Sequence, residues 1–174
     1  DPKTNTIVIL QTNSQQFKVR AITTAIMDIL KERPYQVPKR SIYLDLREKV
    51  LNDFAQGMRF YNLIINHQVD RYDLSFVIGD LINTGKYLMR RQRFSDALEL
   101  LHLCNTLENV APKDLGYAYQ LIAECYGQTG KEERAMLYLQ HSIRLDPSNI
   151  GAANTLQRLK NTSAGSRPAV QKMP

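Results

Sequence analysis

Apolar residues along most of the chain recur every three or four positions, which is the spacing of an amphipathic helix. The longest such run covers residues 42–67: Leu46, Val50, Phe54, Met58, Tyr61 and Ile65. A shorter run covers residues 17–32 and ends at Arg33, because a residue before proline disfavours the helical conformation. Further helices alternate with short turns over residues 72–160. The pattern therefore predicts an all-α fold.

The N-terminal residues depart from this spacing. Residues 7–10 read Ile-Val-Ile-Leu, a continuous apolar run of the kind found in buried strands. No partner strand is evident elsewhere in the chain, and an isolated strand exposes its backbone donors and acceptors. We therefore expect a short strand over residues 6–10 that is unpaired, packed as a coil on helices, or paired with another copy of the chain.

Proline-containing and polar segments divide the chain. Residues 34–41 contain two prolines and are predicted to be an extended linker, with Ser41 as the N-cap of the next helix. Gly57 inside that helix marks a bend or a close helix contact. Residues 161–174 are small, polar and proline-containing, so a disordered tail is expected. The predicted divisions are 1–33, 34–41, 42–160 and 161–174.

The second half contains a repeat. Residues 116–149 place small, aromatic and turn residues in a fixed order: Tyr119, Ile122, Ala123, Tyr126, Gly130, Ala135, Leu139 and Pro147. Small residues fit where two helices cross closely, and Gly130 permits a left-handed C-cap. A weaker copy precedes it, 38 positions earlier: Gly85, Phe94, Ala97 and Leu101.

This order resembles the tetratricopeptide repeat, a two-helix unit of about 34 residues. The resemblance implies a tetratricopeptide-like helical hairpin stack, an α-α superhelix in which each repeat covers the apolar face of the next. The stack would contain one degenerate repeat, one well-formed repeat and a capping helix at residues 150–160. The helix at residues 42–67 is expected to pack on the first repeat.

In that family the first helix of each hairpin lines a concave, ligand-binding face. The resemblance places Gly79, Ile82 and Gln128 on that face, together with the candidate peptide-binding residues Lys86, Met89, Arg90, Tyr117, Gln120 and Glu124. Lys86 and Arg90 are one helical turn apart, so they are suited to holding a peptide carboxylate, and simple solvation is the alternative. Some family members, the carboxylate-clamp proteins, hold a peptide through a set of lysine and asparagine side chains. That set does not occur in this sequence.

The first seventy residues resemble a second family. An apolar strand, a helix, a Pro-Tyr-x-x-Pro-Lys segment, a long helix and then repeats follow the order at the C-terminal end of β-lactamase-related, penicillin-recognising serine hydrolases. The resemblance implies that residues 1–33 are the terminal strand and helix of a truncated hydrolase domain. Family members are commonly exported, which implies a periplasmic or cell-envelope parent protein.

The catalytic motifs of that family do not occur in this sequence. The family's nucleophile motif is Ser-x-x-Lys, and no serine in this sequence is followed three positions later by lysine. Another family motif is Lys/His-Thr/Ser-Gly on a strand, and Thr-Gly-Lys at residues 84–86 and 129–131 resembles it only in reverse order. The chain is therefore expected to be a non-catalytic protein-interaction module that binds a protein or peptide, its own catalytic domain or another copy. A structural or self-association appendage and a freestanding repeat adaptor are the alternatives.

Composition limits the remaining chemistry. Lys and Arg number 23 against 17 Asp and Glu, giving a charge of +6, without the dense basic stripe or the known module of a nucleic-acid-binding protein. No apolar run is long enough to span a membrane. The one basic cluster is typical of a solvated helix end: Lys86, Arg90, Arg91 and Arg93.

The cysteines and histidines do not form a recognisable reactive or metal-binding motif. Cys104 and Cys125 fall on core-facing helical positions, which favours two buried thiols over a disulfide. The three histidines lack metal-ligand spacing with the cysteines. No cofactor, metal or catalytic residue is predicted.

Overall fold

The computed structural model describes residues 7–10, 19–67 and 69–165, and this part of the chain is all-α, as predicted. None of its helices is both long and apolar enough to cross a membrane. A 3₁₀ helix follows α5 at Leu103–Thr106. The α-helices are α1 (Val19–Leu30), α2 (Tyr43–Asn52), α3 (Phe54–His67), α4 (Val77–Arg90), α5 (Phe94–His102), α6 (Pro112–Gln128), α7 (Glu132–Leu145) and α8 (Ile150–Gly165).

The described part of the predicted N-terminal strand, residues 7–10, has no regular secondary structure. Of the three expected arrangements, packing on helices is wrong for this segment, because Ile7 and Ile9 are 82% and 80% exposed. Within the described residues the only β pairing is a single-residue bridge between Arg40 and Tyr72, so nothing there pairs with this segment. Residue 6 lies outside the described residues.

The helix predicted over residues 42–67 is broken in two at Asp53. Asp53 has an extended backbone, and its carboxylate accepts a hydrogen bond from the N–H of Gln56 at 3.0 Å, which caps the first turn of α3. The chain can turn here because Gly57 lies against α2, where a Cβ would come within 2.8 Å of the Val50 backbone nitrogen. The single helix was therefore wrong, whereas the close contact at Gly57 is confirmed.

α2 packs on α4 as expected for the helix before the repeats. Leu46 and Val50 of α2 are completely buried, as is Ile42 directly before the helix. Its start is fixed by Asp80 of α4, whose carboxylate accepts hydrogen bonds from the Ser41 hydroxyl at 2.7 Å and the Ile42 N–H at 3.2 Å. The Ser41 oxygen in turn accepts from a backbone N–H in the first turn of α2, so the expected cap is shared between a local and a distant side chain.

The pairs α4–α5 and α6–α7 form two helical hairpins that close with the same turn. The N–H of Arg93 donates to the Leu88 carbonyl at 3.0 Å, and the N–H of Lys131 donates to the Tyr126 carbonyl at 2.9 Å. These equivalent positions are 38 residues apart. The residue before the donor is left-handed in each turn: Gln92 (φ 59°) and Gly130 (φ 71°).

Small residues occupy the helix crossings inside the hairpins, as predicted. A Cβ on Gly85 would lie 2.7 Å from side-chain atoms of Leu101 on α5, so only glycine allows this approach. The other three predicted small residues are also buried: Ala97, Ala123 and Ala135.

α8 packs on α7 and extends past its predicted end at residue 160. The predicted start of the tail at residue 161 therefore falls within this helix, and residues 166–174 lie outside the described residues. Asn149 starts α8 by accepting from the Ala152 N–H at 3.0 Å. Its amide nitrogen donates to Gln120 of α6 at 2.9 Å and to buried Ser142 of α7 at 3.2 Å, so one side chain joins three helices.

Candidate peptide-binding surface

An open groove with a volume of about 740 Å³ lies where α4, α6 and α8 approach each other. We call it the groove. It has the apolar side chains of Met89 and Leu159 together with the charged side chains of Arg90, Glu124 and Arg158. Its other lining residues are Gln92, Phe94, Ala123, Gly127, Gln128 and Thr155.

The groove brings together three of the six predicted site residues: Met89, Arg90 and Glu124. Arg90 and Arg158 are exposed, and neither forms an ion pair within the described part of the chain. Two cations therefore border the groove with their hydrogen-bonding capacity available to a ligand. The carboxylate of Glu124 instead accepts a hydrogen bond from Gln120 at 2.9 Å.

Lys86 and Tyr117 form a separate contact beside the groove. The Lys86 ammonium lies 5.6 Å from the centre of the Tyr117 ring, a cation–π arrangement between α4 and α6. Tyr117 is partly exposed and Lys86 is half-buried. This contact argues against the prediction that Lys86 and Arg90 bind one carboxylate together, because the Lys86 ammonium lies against a ring of the neighbouring helix.

Gln120, a predicted peptide-binding residue, does not line the groove and has a structural role instead. It accepts from Asn149 and donates to Glu124, so it links the start of α8 to the wall of the groove. Two other predicted face positions, Gly79 and Ile82, are buried and offer no surface to a ligand.

Sequence reasoning missed the wall contributed by α8, namely Thr155, Arg158 and Leu159. The helix was expected only to cap the stack. The available signal was its position, because α8 follows a complete hairpin, as α6 does.

The described residues contain no arrangement suited to nucleophilic or metal chemistry. Burial raises the pKa of the Cys104 thiol to about 12, and burial followed by the charge of Glu124 raises that of Cys125 to about 12. Both thiols are free and buried, as favoured from the sequence. Burial lowers the pKa of His102, whose ring packs edge-on against Tyr138 at 5.7 Å. No group of three metal-ligating side chains occurs in this part of the chain.

A second concave region lies between α1 and the extended residues 34–39, with a volume of about 840 Å³. α1 is amphipathic, yet Ala25 is the only residue that it buries within the described structure. Large apolar side chains around this region are exposed: Ile29, Leu30, Tyr35 and Val37. We call these four residues the N-terminal apolar patch.

Comparison with known proteins adds no family assignment. No protein-family model matches the chain, and no curated protein matches it significantly.

Proposed function

We propose that this chain is a non-catalytic protein-interaction module with tetratricopeptide-like hairpins, and that it binds an extended peptide in the groove. The observation that carries the proposal is the convergence of α4, α6 and α8, the first helices of successive repeat positions, on one open surface. The common turn at Gln92 and Gly130 supports the repeat relationship. Both features fit a family of repeats that present concave binding faces.

The chemistry of the groove favours a peptide with apolar and acidic side chains. Met89 and Leu159 provide apolar surface, and methionine adapts its shape to different partners. Arg90 and Arg158 border this surface without an ion-pair partner in the described structure. An arginine binds a carboxylate through two parallel hydrogen bonds, which gives orientation as well as affinity.

Selection from a random peptide library displayed on phage, with the full chain as bait, tests the proposal. We expect enriched peptides to bind with micromolar affinity by calorimetry and to lose at least about tenfold in Arg158→Glu and Leu159→Asp, since each change removes a groove contact. Arg144→Glu, on the exposed side of α7, is the matched control and should leave binding unchanged. Peptides that bind all four proteins equally would show that the groove is not the binding site.

A second candidate function rests on the N-terminal apolar patch. We propose that α1 and residues 34–39 pack against a folded partner, either the hydrolase-related domain implied by the sequence resemblance or another copy of the chain. The support is the exposure of Ile29 and Leu30 on α1, which buries only Ala25 among the described residues, and of Tyr35 and Val37 on the extended segment. Several large exposed apolar side chains on neighbouring segments favour an interface.

A further inference from the structure

Arginine and tyrosine side chains alternate along the contact between α2 and α4. The Arg47 guanidinium lies 5.2 Å from the Tyr43 ring centre and 4.9 Å from the Tyr87 ring centre. The Arg91 guanidinium lies 5.3 Å from the Tyr87 ring centre and donates a hydrogen bond to its hydroxyl at 3.0 Å. We call these four residues the Arg–Tyr ladder.

The two arginines of the ladder lack a carboxylate partner among the described residues. Other arginines of the chain are neutralised: Arg40 pairs with Asp45 at 2.9 Å and Arg93 pairs with Asp96 at 2.6 Å. Arg47 is half-buried and uses one donor, on the Tyr43 hydroxyl at 3.4 Å. A guanidinium carries five N–H donors, so most of them remain available.

The tyrosine rings hold the Arg47 guanidinium in place before any ligand arrives. A positioned guanidinium loses little freedom when it forms two parallel hydrogen bonds to a carboxylate. Partial burial also strengthens the attraction for an anion, because water screens the charge less. These features suit Arg47 in particular to holding an anion, whereas Arg91 is exposed.

We propose that the Arg–Tyr ladder binds side-chain carboxylates of an acidic peptide segment. The inference rests on the proposed function, because it extends the peptide from the groove across α4 towards α2. Neighbouring positions of α4 carry Lys86 and Arg90, which continue the row of cations towards the groove. The partner is thus a protein segment with consecutive aspartates or glutamates.

The chain's own C-terminal residues do not suit this surface. Residues 161–174 carry Arg167 and Lys172 and no acidic side chain. Like charges would oppose their docking beside Arg47 and Arg91. Charge complementarity therefore selects an acidic partner over this segment.

Single-stranded nucleic acid fits the ladder less well than an acidic peptide. Its bases bind sequence-independently by stacking on aromatic rings. The Tyr87 ring has two guanidinium groups within 5.3 Å of its centre and the Tyr43 ring has one, so a stacking base would compete with these cations. A carboxylate uses the N–H edges and leaves the ring contacts intact.

Fluorescence anisotropy of a labelled oligoglutamate peptide, titrated with the full chain at low salt, tests the proposal. We expect Arg47→Gln and Arg91→Gln each to weaken binding by about three- to tenfold, the range for one partly screened charged hydrogen bond. Arg47→Lys should also weaken binding, because an ammonium cannot make the bidentate contact. The control is Arg134→Gln on α7, which removes a similar contact, 5.7 Å from the Tyr126 ring centre, on another helix.

The outcomes separate this inference from the proposed function. If Arg47→Gln and Arg91→Gln bind oligoglutamate as well as Arg134→Gln does, the ladder is not an acidic-peptide site, whereas loss of the selected peptides in Arg158→Glu would still support the groove. If single-stranded RNA of equal formal charge binds more tightly and depends on the same arginines, nucleic acid is the ligand and the proposal is overturned. Circular dichroism and the unfolding midpoint establish that each variant is folded. If Arg47→Gln does not fold, Arg91→Gln alone tests the proposal.

Discussion

At the scale of single residues, the two left-handed turn positions explain how two hairpins of different sequence close with the same turn. Gly130 adopts φ 71° without strain, because glycine has no Cβ. Gln92 occupies the equivalent turn at φ 59°, where a side chain costs about 1–2 kcal/mol. The hydrogen bond from Arg93 to Leu88 and the helix packing on both sides hold Gln92 there.

Separate substitutions at Gln92 and Gly130 should change the free energy of unfolding in opposite directions. We expect Gln92→Gly to raise the free energy of unfolding by about 1 kcal/mol, because it removes the left-handed strain. Gly130→Ala should lower it by a similar amount, and no atom lies within 4 Å of the added Cβ, so backbone strain is the only cause. Urea unfolding measures both effects.

A matched control separates local strain from the intrinsic effect of glycine. Gln140→Gly makes the same exchange at an exposed position inside α7 and should lower stability by about 1 kcal/mol. Loss of stability in Gln92→Gly comparable to that in Gln140→Gly would mean that Gln92 is not strained.

At the scale of helices, the break at Asp53 shows where periodicity fails as a predictor. The apolar spacing continues across residues 42–67 because α2 and α3 each bury one face. Spacing alone cannot distinguish one long helix from two that bend at a capped residue. The local signals were Asp53, a preferred N-cap residue, and Gly57 four positions later.

Gly57 and Gly127 provide a paired test of this bend. Gly57→Ala should lower the free energy of unfolding by about 1–3 kcal/mol, because its Cβ would meet the Val50 backbone nitrogen at 2.8 Å and its Cα at 2.9 Å. Gly127→Ala should raise it by up to about 1 kcal/mol, since this helical glycine has no atom near the added Cβ.

Thermal and urea unfolding of both variants check the prediction. The decisive quantity is the sign of each variant's change in the free energy of unfolding relative to the unsubstituted chain. Equal stabilisation by the two alanines would contradict the close contact between α2 and α3 at Gly57.

The candidate site was predictable only as far as the repeat pattern reached. Met89, Arg90 and Glu124 were found because they occupy first-helix positions of two hairpins. Arg158 and Leu159 required the extra step of treating α8 as the first helix of a further repeat. The hydrogen bond of Gln120 to Asn149 could not be read from the sequence, because it joins positions 29 residues apart.

At the scale of the whole molecule, the apolar surface is unevenly distributed. The core runs from Ile42 to Leu156 through one cluster of buried side chains. The N-terminal apolar patch, on α1 and the extended residues 34–39, is exposed. Hydrophobic patterning correctly predicted amphipathic character for α1, but a pattern does not specify whether the covering surface belongs to the same chain.

We expect this patch to drive reversible self-association of the chain at high concentration. Burying Leu30 and Val37, which are 57% and 78% exposed, removes apolar surface from water. Sedimentation velocity over a concentration series should show a dimer that Leu30→Glu and Val37→Glu abolish. Leu63→Glu, at an exposed position of α3, is the control.

A chain that remains monomeric at every concentration would contradict self-association. A dimer that persists in both patch variants and is lost in Leu63→Glu would place the interface on α3 instead.

The anchoring of α8 by Asn149 has a consequence for affinity. α8 supplies one wall of the groove, yet it packs chiefly on α7 and is held at its start by the contacts of Asn149 with Gln120 and Ser142. Under the proposed function, only molecules with α8 in place would present a complete binding surface, so the apparent dissociation constant would scale inversely with that fraction of the population. A residue that does not line the groove would then set how tightly a peptide is held.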